Sequence, residues 1–397
     1  MKWSRETCGA LFFLAGMGIC FAVLIVSFFQ GGELREAFGA ARREGGFAAF
    51  SETAEAAANS DLDETHFFIQ LFGGYQRLLG RRIIEDAQSQ TATVVKLADG
   101  ALTFANLSQE RMDVTANAEA AAQLKETLAG AGIPYLFTVA PQKLMDNSQL
   151  PAGIQNYSIE EADLFLDLLA DAGVDTLDLR PWFESHGNYG DWFFRTDHHW
   201  RPEAAFAAWG VLAGEMTQRY GFSFDPALTD ESHYEKTVYE RFFLGSQGKR
   251  VGTLYGGVDD FTVYTPKFDT DLTYTCPFYG IDRTGPFNQS VCFPERIAAR
   301  DWFDGNPYTY YAGGDYPLAR AVNRNNPEGP KILLIRDSFA CAMTPFLALG
   351  CSELVTVDLR YFSGDLTETI LSEKPDLVVT LYTVGTLSNP EMFCRTK

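Results

Sequence analysis

Apolar positions along this chain change period repeatedly, and the changes predict the elements. Ala118 to Ala129 has helix-forming composition and is closed by Gly130 and Gly132; the unbroken run Tyr135 to Val139 then reads as a buried strand. The same sequence of events recurs. Ile159 to Ala172 predicts a helix, Gly173 stops it, and Thr176 to Leu179 predicts the next strand. Pro202 opens a helix over Glu203 to Met216. Further on come strands at Lys331–Ile335, Leu354–Val357 and Asp376–Leu381, with helices at Phe339–Leu349 and Leu366–Ser372. Helices alternating with short apolar strands imply βαβ units and a mostly parallel sheet. The interval 222–330 breaks this rhythm. It is aromatic and Gly-rich, and predicts an insertion of loops and short antiparallel strands over one end of the sheet. Upstream, Thr93 to Leu97 followed by Asp99-Gly100 predicts a strand and turn in a small entry subdomain.

The N-terminus carries a different pattern. Lys2 and Arg5 precede an uncharged run of about 22 residues, Cys8 to Phe29, which is long enough to span a bilayer as a helix. It exceeds the apolar core of a cleaved signal peptide, and no small-residue cleavage site follows Ser27-Phe28-Phe29. A signal-anchor with its N-terminus inside is expected, ahead of a cleaved signal or a buried core helix. The expected organisation is therefore residues 1–30 as cytoplasmic tail and transmembrane anchor, 31–64 as a membrane-proximal stalk, and 65–397 as an extracellular domain.

Composition narrows the function. The chain holds 32 Lys and Arg against 52 Asp and Glu, a net charge of −20 that argues against nucleic acid or an anionic membrane surface as partner. Seven cysteines are too few for a disulfide-built scaffold, and none forms a CxxC pair. Cys276 and Cys292 bracket one Pro/Gly-rich loop and are the candidate disulfide, against isolated buried thiols as the alternative. Phosphate-loop, GxGxxG, HExxH and GxSxG signatures are all absent, so no cofactor and no metal is called for.

Two segments could carry chemistry. In Phe193-Phe194-Arg195-Thr196-Asp197-His198-His199-Trp200, an extended backbone would set Asp197 and His199 side by side and His198 on the opposite face. A carboxylate beside an imidazole is what a general base requires. In Ile332-Leu333-Leu334-Ile335-Arg336-Asp337-Ser338-Phe339, an apolar strand gives way to a polar turn and then a helix. Ser338 is thereby placed at a strand carboxyl end and a helix N-terminus, where open α/β sheets bind ligands. The competing readings are a structural histidine and a simple helix cap.

Thr196-Asp197-His198-His199-Trp200 resembles the signature of the DHHW protein family, which is similar to the SGNH-hydrolase-like alginate O-acetyltransferases. Arg336-Asp337-Ser338-Phe339 resembles the Gly-Asp-Ser-Phe turn of that group, and the order Asp, His, Ser agrees with its circularly permuted order. The resemblance implies a three-layer SGNH/flavodoxin-like α/β domain. It implies Ser338 as acyl-accepting nucleophile, His199 as base and acid, and Asp197 as its orienter; His198 falls at the variable position. Arg336 departs from the usual Gly, where it would crowd the turn or offer charge to a substrate. Gly245 and Ser246 are the candidate oxyanion donors, or else an ordinary turn. Asp358-Leu359-Arg360-Tyr361 is similar to a further family block, and Trp200 and Tyr361 are candidate sugar-stacking faces. The implied function is a membrane-anchored O-acyltransferase or acetylesterase acting on a cell-surface glycan beside a polytopic membrane acyltransferase. The alternative is a catalytically silent glycan-binding or scaffold protein.

Overall fold

The computed structural model describes residues 5–44, 66–85, 93–104 and 110–393, with positions 54, 57, 58 and 60. Cys394 and much of the expected stalk beyond residue 44 lie outside them. The chain divides into two units, Met1–Gly80 and Arg81–Lys397. The first contains helices α1 (Arg5–Gln30), α2 (Glu33–Glu44) and α3 (Phe67–Leu78). The helix expected over 8–29 is thus present and continuous. Among the described residues no single helix is long and apolar enough to cross a membrane; Leu14–Gln30 and Glu33–Ala40 reach that length and composition together, bent by 66°. The bend falls at Gly31, whose φ of 100° disfavours any residue with a Cβ.

The second unit opens with a three-stranded antiparallel sheet, β1 (Ile83–Ile84), β2 (Val94–Lys96) and β3 (Leu102–Phe104). The strand and turn expected at 93–100 are β2 and its exit. Then follow α4 (Thr115–Gly130), β4 (Tyr135–Ala140), α5 (Ser158–Asp171), β5 (Asp175–Asp178), α6 (Arg180–Ser185) and α7 (Pro202–Tyr220). The insertion supplies β6 (Tyr234–Phe243), α8 (Ser246–Val251), α9 (Thr253–Gly256), β7 (Asp259–Pro266), β8 (Leu272–Cys276), β9 (Ile281–Gly285) and β10 (Leu318–Asn323). The chain closes with β11 (Lys331–Arg336), α10 (Ala340–Gly350), β12 (Glu353–Val357), α11 (Leu366–Glu373) and β13 (Leu377–Thr383).

Eight strands form the central sheet in the order β5-β4-β13-β11-β12-β10-β8-β9. The five from β5 to β12 are parallel, and β10, β8 and β9 add antiparallel at one edge. The insertion therefore extends the sheet instead of only covering its end; β6 and β7 alone pair separately. Alternation across β11 shows the three layers. Ile332 and Leu334 join the core that contains α7, α10 and the aromatics of the insertion, whereas Leu333 and Ile335 face α4, α5 and α11. A strand covered on both faces must be apolar throughout, which is why these strands read as unbroken runs.

Cys276 and Cys292 are both free and buried, correcting the expected disulfide. β8 and β9 form a hairpin in which Cys276 pairs with Ile281 at the turn and Leu272 with Gly285 at the open end. Four residues of strand, about 13 Å, separate Cys276 from the end at which the chain departs towards Cys292. Cys292 instead bridges to Tyr311.

Candidate active site

Three parallel strands end at one place. The chain leaves β4 towards β5 on one side and β11 towards β12 on the other, with β13 between, so a crevice opens at their carboxyl ends. It holds a cavity of about 580 Å³, whose lining includes Gln142 and Lys143 after β4, Asp337 and Ser338 after β11, and Thr386 and Asn389 after β13.

Ser338 sits between two pinned neighbours. Asp337 Oδ1 accepts the Phe339 amide at 2.9 Å, closing an Asx-type turn; Oδ2 accepts the Thr383 amide at 2.7 Å and the Thr386 hydroxyl at 2.8 Å. On the other side, the Phe339 carbonyl accepts Trp200 Nε1 at 2.8 Å and the Tyr308 hydroxyl at 2.9 Å. Burial pushes the Asp337 carboxyl up, against its hydrogen bonds.

The histidine loop is gripped as firmly. Phe193 and Trp200 bridge its ends. Buried Asp259 accepts the amides of Arg195 and Thr196 at 2.7 and 2.8 Å and the Thr196 hydroxyl at 2.5 Å. Within the loop, Asp197 Oδ1 accepts the His199 amide at 3.0 Å, and Oδ2 accepts the Ser246 amide at 2.6 Å. Lys143 Nζ donates to the Asp197 carbonyl and, at 2.6 Å, to the Leu102 carbonyl. Asp197 and His199 meet through a second Asx-type turn, not through the extended strand that spacing suggested. His198 consequently does not face away: its ring lies 3.9 Å from that of His199, on the cleft wall.

These two loops, 139 positions apart, come together at hydrogen-bond distance. His199 Nε2 is 2.8 Å from Ser338 Oγ, and His199 Nδ1 is 2.5 Å from Asp197 Oδ1. Tyr308 stacks on the His199 ring at 4.1 Å, fixing its plane. Burial alone would raise the Asp197 carboxyl; His198 and His199, with the bonds from His199 and the Ser246 amide, outweigh it and hold the group well below 3.8. Asp197 is thus ionised and aimed at the imidazole nitrogen opposite the serine. Burial also pushes Lys143 down, to about 8, against the charges of Asp259, Asp197 and Asp99. Asp197, His198 and His199 bring three possible metal-ligand atoms within 4.8 Å. The hydrogen bonds just described already employ both Asp197 oxygens and both His199 nitrogens.

Other expected site residues fall elsewhere. Arg336 is 1% exposed and does not reach the cleft. It donates to Asp315 at 2.9 Å, to the Gly314 carbonyl at 2.6 Å and to the Asp337 carbonyl at 3.3 Å, with Asp358 4.0 Å away. It crowds nothing and meets no substrate, because its side chain follows the Ile332 and Leu334 face of β11. Trp200 is fully buried and anchors the serine turn, so it offers no stacking face. The Gly245 and Ser246 amides are committed to Thr196 and Asp197, so they are not oxyanion donors. Gly245 is required for a steric reason: a Cβ there would lie 2.1 Å from Asp197 Cβ. Arg360 does line the cleft, paired with Asp358 at 2.6 Å and Asp315 at 3.1 Å. Tyr361 is exposed beside it, 5.4 Å from the Arg360 guanidinium, and is not among the residues lining the cavity. Sequence reasoning missed Asp259, Lys143 and Tyr308. Nothing in their local patterns marks them, since each acts on a loop far away in the chain.

Fold and site together define an α/β protein with a serine, histidine and aspartate arranged as acyl-transfer enzymes require. Residues 102–240 match the family model for the SGNH hydrolase-like domain of the acetyltransferase AlgX. No curated protein matches the sequence. PatB1 of Bacillus cereus superposes with a TM-score of 0.62 at 22% identity, covering 76% of this chain and 98% of its own; one PatB1 structure carries a sulfonyl adduct. A DHHW family protein from Eubacterium siraeum gives a TM-score of 0.58 at 19% identity, covering 79% of this chain and 97% of its own. The resemblance first seen in the Asp-His-His-Trp and Asp-Ser-Phe motifs is thus matched by a family model and by fold. The matched segment contains Asp197 and His199; Ser338 lies beyond it.

Proposed function

We propose that this protein is a serine-dependent O-acyltransferase or acetylesterase whose acyl-enzyme forms on Ser338. The observation that carries the reading is the Ser338–His199–Asp197 chain of hydrogen bonds opening on a cleft at the strand ends. His199 takes the Ser338 proton as Oγ attacks the donor carbonyl, and returns it to the departing group. Asp197 keeps the proton of His199 on Nδ1 and stabilises the imidazolium. The Ser338 amide, which has no acceptor among the described residues, is the main-chain donor for the developing oxyanion. The burial of Arg336 removes the crowding that would have favoured a silent scaffold.

The apolar helix α1 is the membrane anchor in this reading, with the N-terminus inside and the α/β unit outside the cell. The acceptor is a hydroxyl of a cell-surface glycan, in keeping with the polar lining of the cleft by Gln142, Asn156, Ser388 and Asn389. The acyl group reaches the site from a polytopic membrane acyltransferase. The test is acetyl release from p-nitrophenyl acetate together with labelling by a fluorophosphonate or sulfonyl fluoride. Both should be present in the wild type and absent in Ser338→Ala; a Ser338→Ala protein that still releases acetyl at the wild-type rate overturns the reading.

A further inference from the structure

His198 lines the cleft with its ring against that of His199, and the chemistry above uses His199 alone. His199 is the inner ring, its side chain 12% exposed and backed by Tyr308 and Phe339; His198 is the outer ring, with a side chain 42% exposed. Its position is built. Nδ1 lies 3.1 Å from Ser246 Oγ and 3.6 Å from Asp197 Oδ1, and Phe104 flanks the ring at 6.3 Å. The nearby carboxylate favours the proton on Nδ1, which leaves Nε2, on the other edge of the ring, as a hydrogen-bond acceptor. Nε2 meets no partner among the described residues. Desolvation and the adjoining His199 push the His198 pKa down, to about 3, so the ring is neutral at pH 7.

We propose that His198 is an acceptor-binding residue, and that the site selects vicinal diols, such as those of a sugar ring. This rests on the acyl-enzyme reading above. One hydroxyl of the pair gives its proton to His199 Nε2 while its oxygen bonds to the acyl carbon. The bond from that carbon to Ser338 Oγ then breaks, and His199 returns the proton to Oγ. The adjacent hydroxyl is unchanged throughout and donates to His198 Nε2, fixing the attacking oxygen beside its base. The two rings lie with centroids 3.9 Å apart and both Nδ1 edges towards Asp197 Oδ1, so their Nε2 edges turn the same way, as two adjacent hydroxyls require. Water has no second hydroxyl held on a rigid frame, so the same contact favours transfer over hydrolysis.

The experiment uses the full chain with p-nitrophenyl acetate as donor and either trans-cyclohexane-1,2-diol or cyclohexanol as acceptor. The readout is the ratio of ester formed on the diol to ester formed on the mono-alcohol. Each ratio is taken within one variant, so differences in folded fraction or acylation rate cancel. His198→Phe keeps a ring against His199 and should lower the ratio about 3- to 10-fold, the worth of one net hydrogen bond. His198→Asn retains a hydrogen-bonding group and should recover part of it. An unchanged ratio in His198→Phe, with a Ser338-dependent burst of p-nitrophenol intact, overturns this inference alone. Absence of that burst in the wild type overturns the acyl-enzyme reading and this inference with it.

Discussion

Gly245→Ala tests how the catalytic loop is held. Gly245 has φ near −77°, a conformation open to any residue, so alanine brings no backbone strain. What it brings is a methyl group 2.1 Å from Asp197 Cβ and 2.6 Å from Asp197 Cα and Oδ2. Ordinary contact begins near 3.4 Å, so Asp197 must retreat by about 1.3 Å. It cannot do so by changing rotamer, because its own Cα is among the atoms struck. Displacement by that amount breaks the 2.5 Å contact with His199 Nδ1 and the 2.6 Å bond from the Ser246 amide. A misplacement of ~1 Å costs ~100-fold in rate, or about 2.7 kcal/mol of barrier, and overpacking costs ~1–3 kcal/mol of stability. Gly130→Ala is the control, since a Cβ there meets nothing within 4 Å. The assay is p-nitrophenyl acetate turnover per active site, counted by burst titration, beside a urea melt. Turnover within threefold of wild type in Gly245→Ala would refute the claim that this glycine sets the position of the triad carboxylate.

Three further outcomes are expected. Asp197→Asn should lower kcat by ~10⁴-fold, since an amide cannot hold the required tautomer; because the folded Asp197 pKa lies well below 3.8, the stability it contributes is full above that value and is lost as pH falls through the folded one, so urea midpoints of mutant and wild type should stay apart at pH 3.8 and converge only well below it. Lys143→Met should remove a rise in stability with pH: the folded lysine loses its proton near 8 while the unfolded one holds it to 10.5, so the wild type gains on the variant between those values in urea melts at pH 7.5 and 10. Arg336→Gly, which would restore the Gly-Asp-Ser turn of the family pattern, should destabilise by ~3–5 kcal/mol in the same melts, because it opens a buried cavity and takes from Asp315 and Asp358 one of the two guanidinium groups that hold them, leaving Arg360.

Much of the domain is legible from local pattern. β4, β11, β12, β13 and helices α4, α5 and α7 lie within a few residues of their predicted limits, because burial on both faces of a parallel sheet leaves a continuous apolar run that Gly and Pro punctuate. The insertion was less legible. β8 and β10 alternate buried and partly exposed residues, and such a strand can pair with any edge; that they extend the central sheet depends on β12 having a free edge to offer.

Two motifs, Asp197-His198-His199 and Asp337-Ser338, named the candidate triad because acyl transfer needs those residue types and because each sits at a break in the apolar pattern. Residue type and spacing could not reveal what holds them. The i, i+2 relation of Asp197 and His199 arises from an Asx-type turn braced by Asp259, Lys143 and the Ser246 amide, all distant in sequence. Arg336 looked like a site residue because it stands in place of the Gly of the Gly-Asp-Ser turn, two positions before Ser338; strand alternation turns it into the core, where two carboxylates neutralise it. Cys276 and Cys292 looked like partners only because one loop joins them. Composition and period are local and determined which elements form and which side chains carry reactive groups. Direction is a property of packed backbone, and only the tertiary structure decided which of those groups meet.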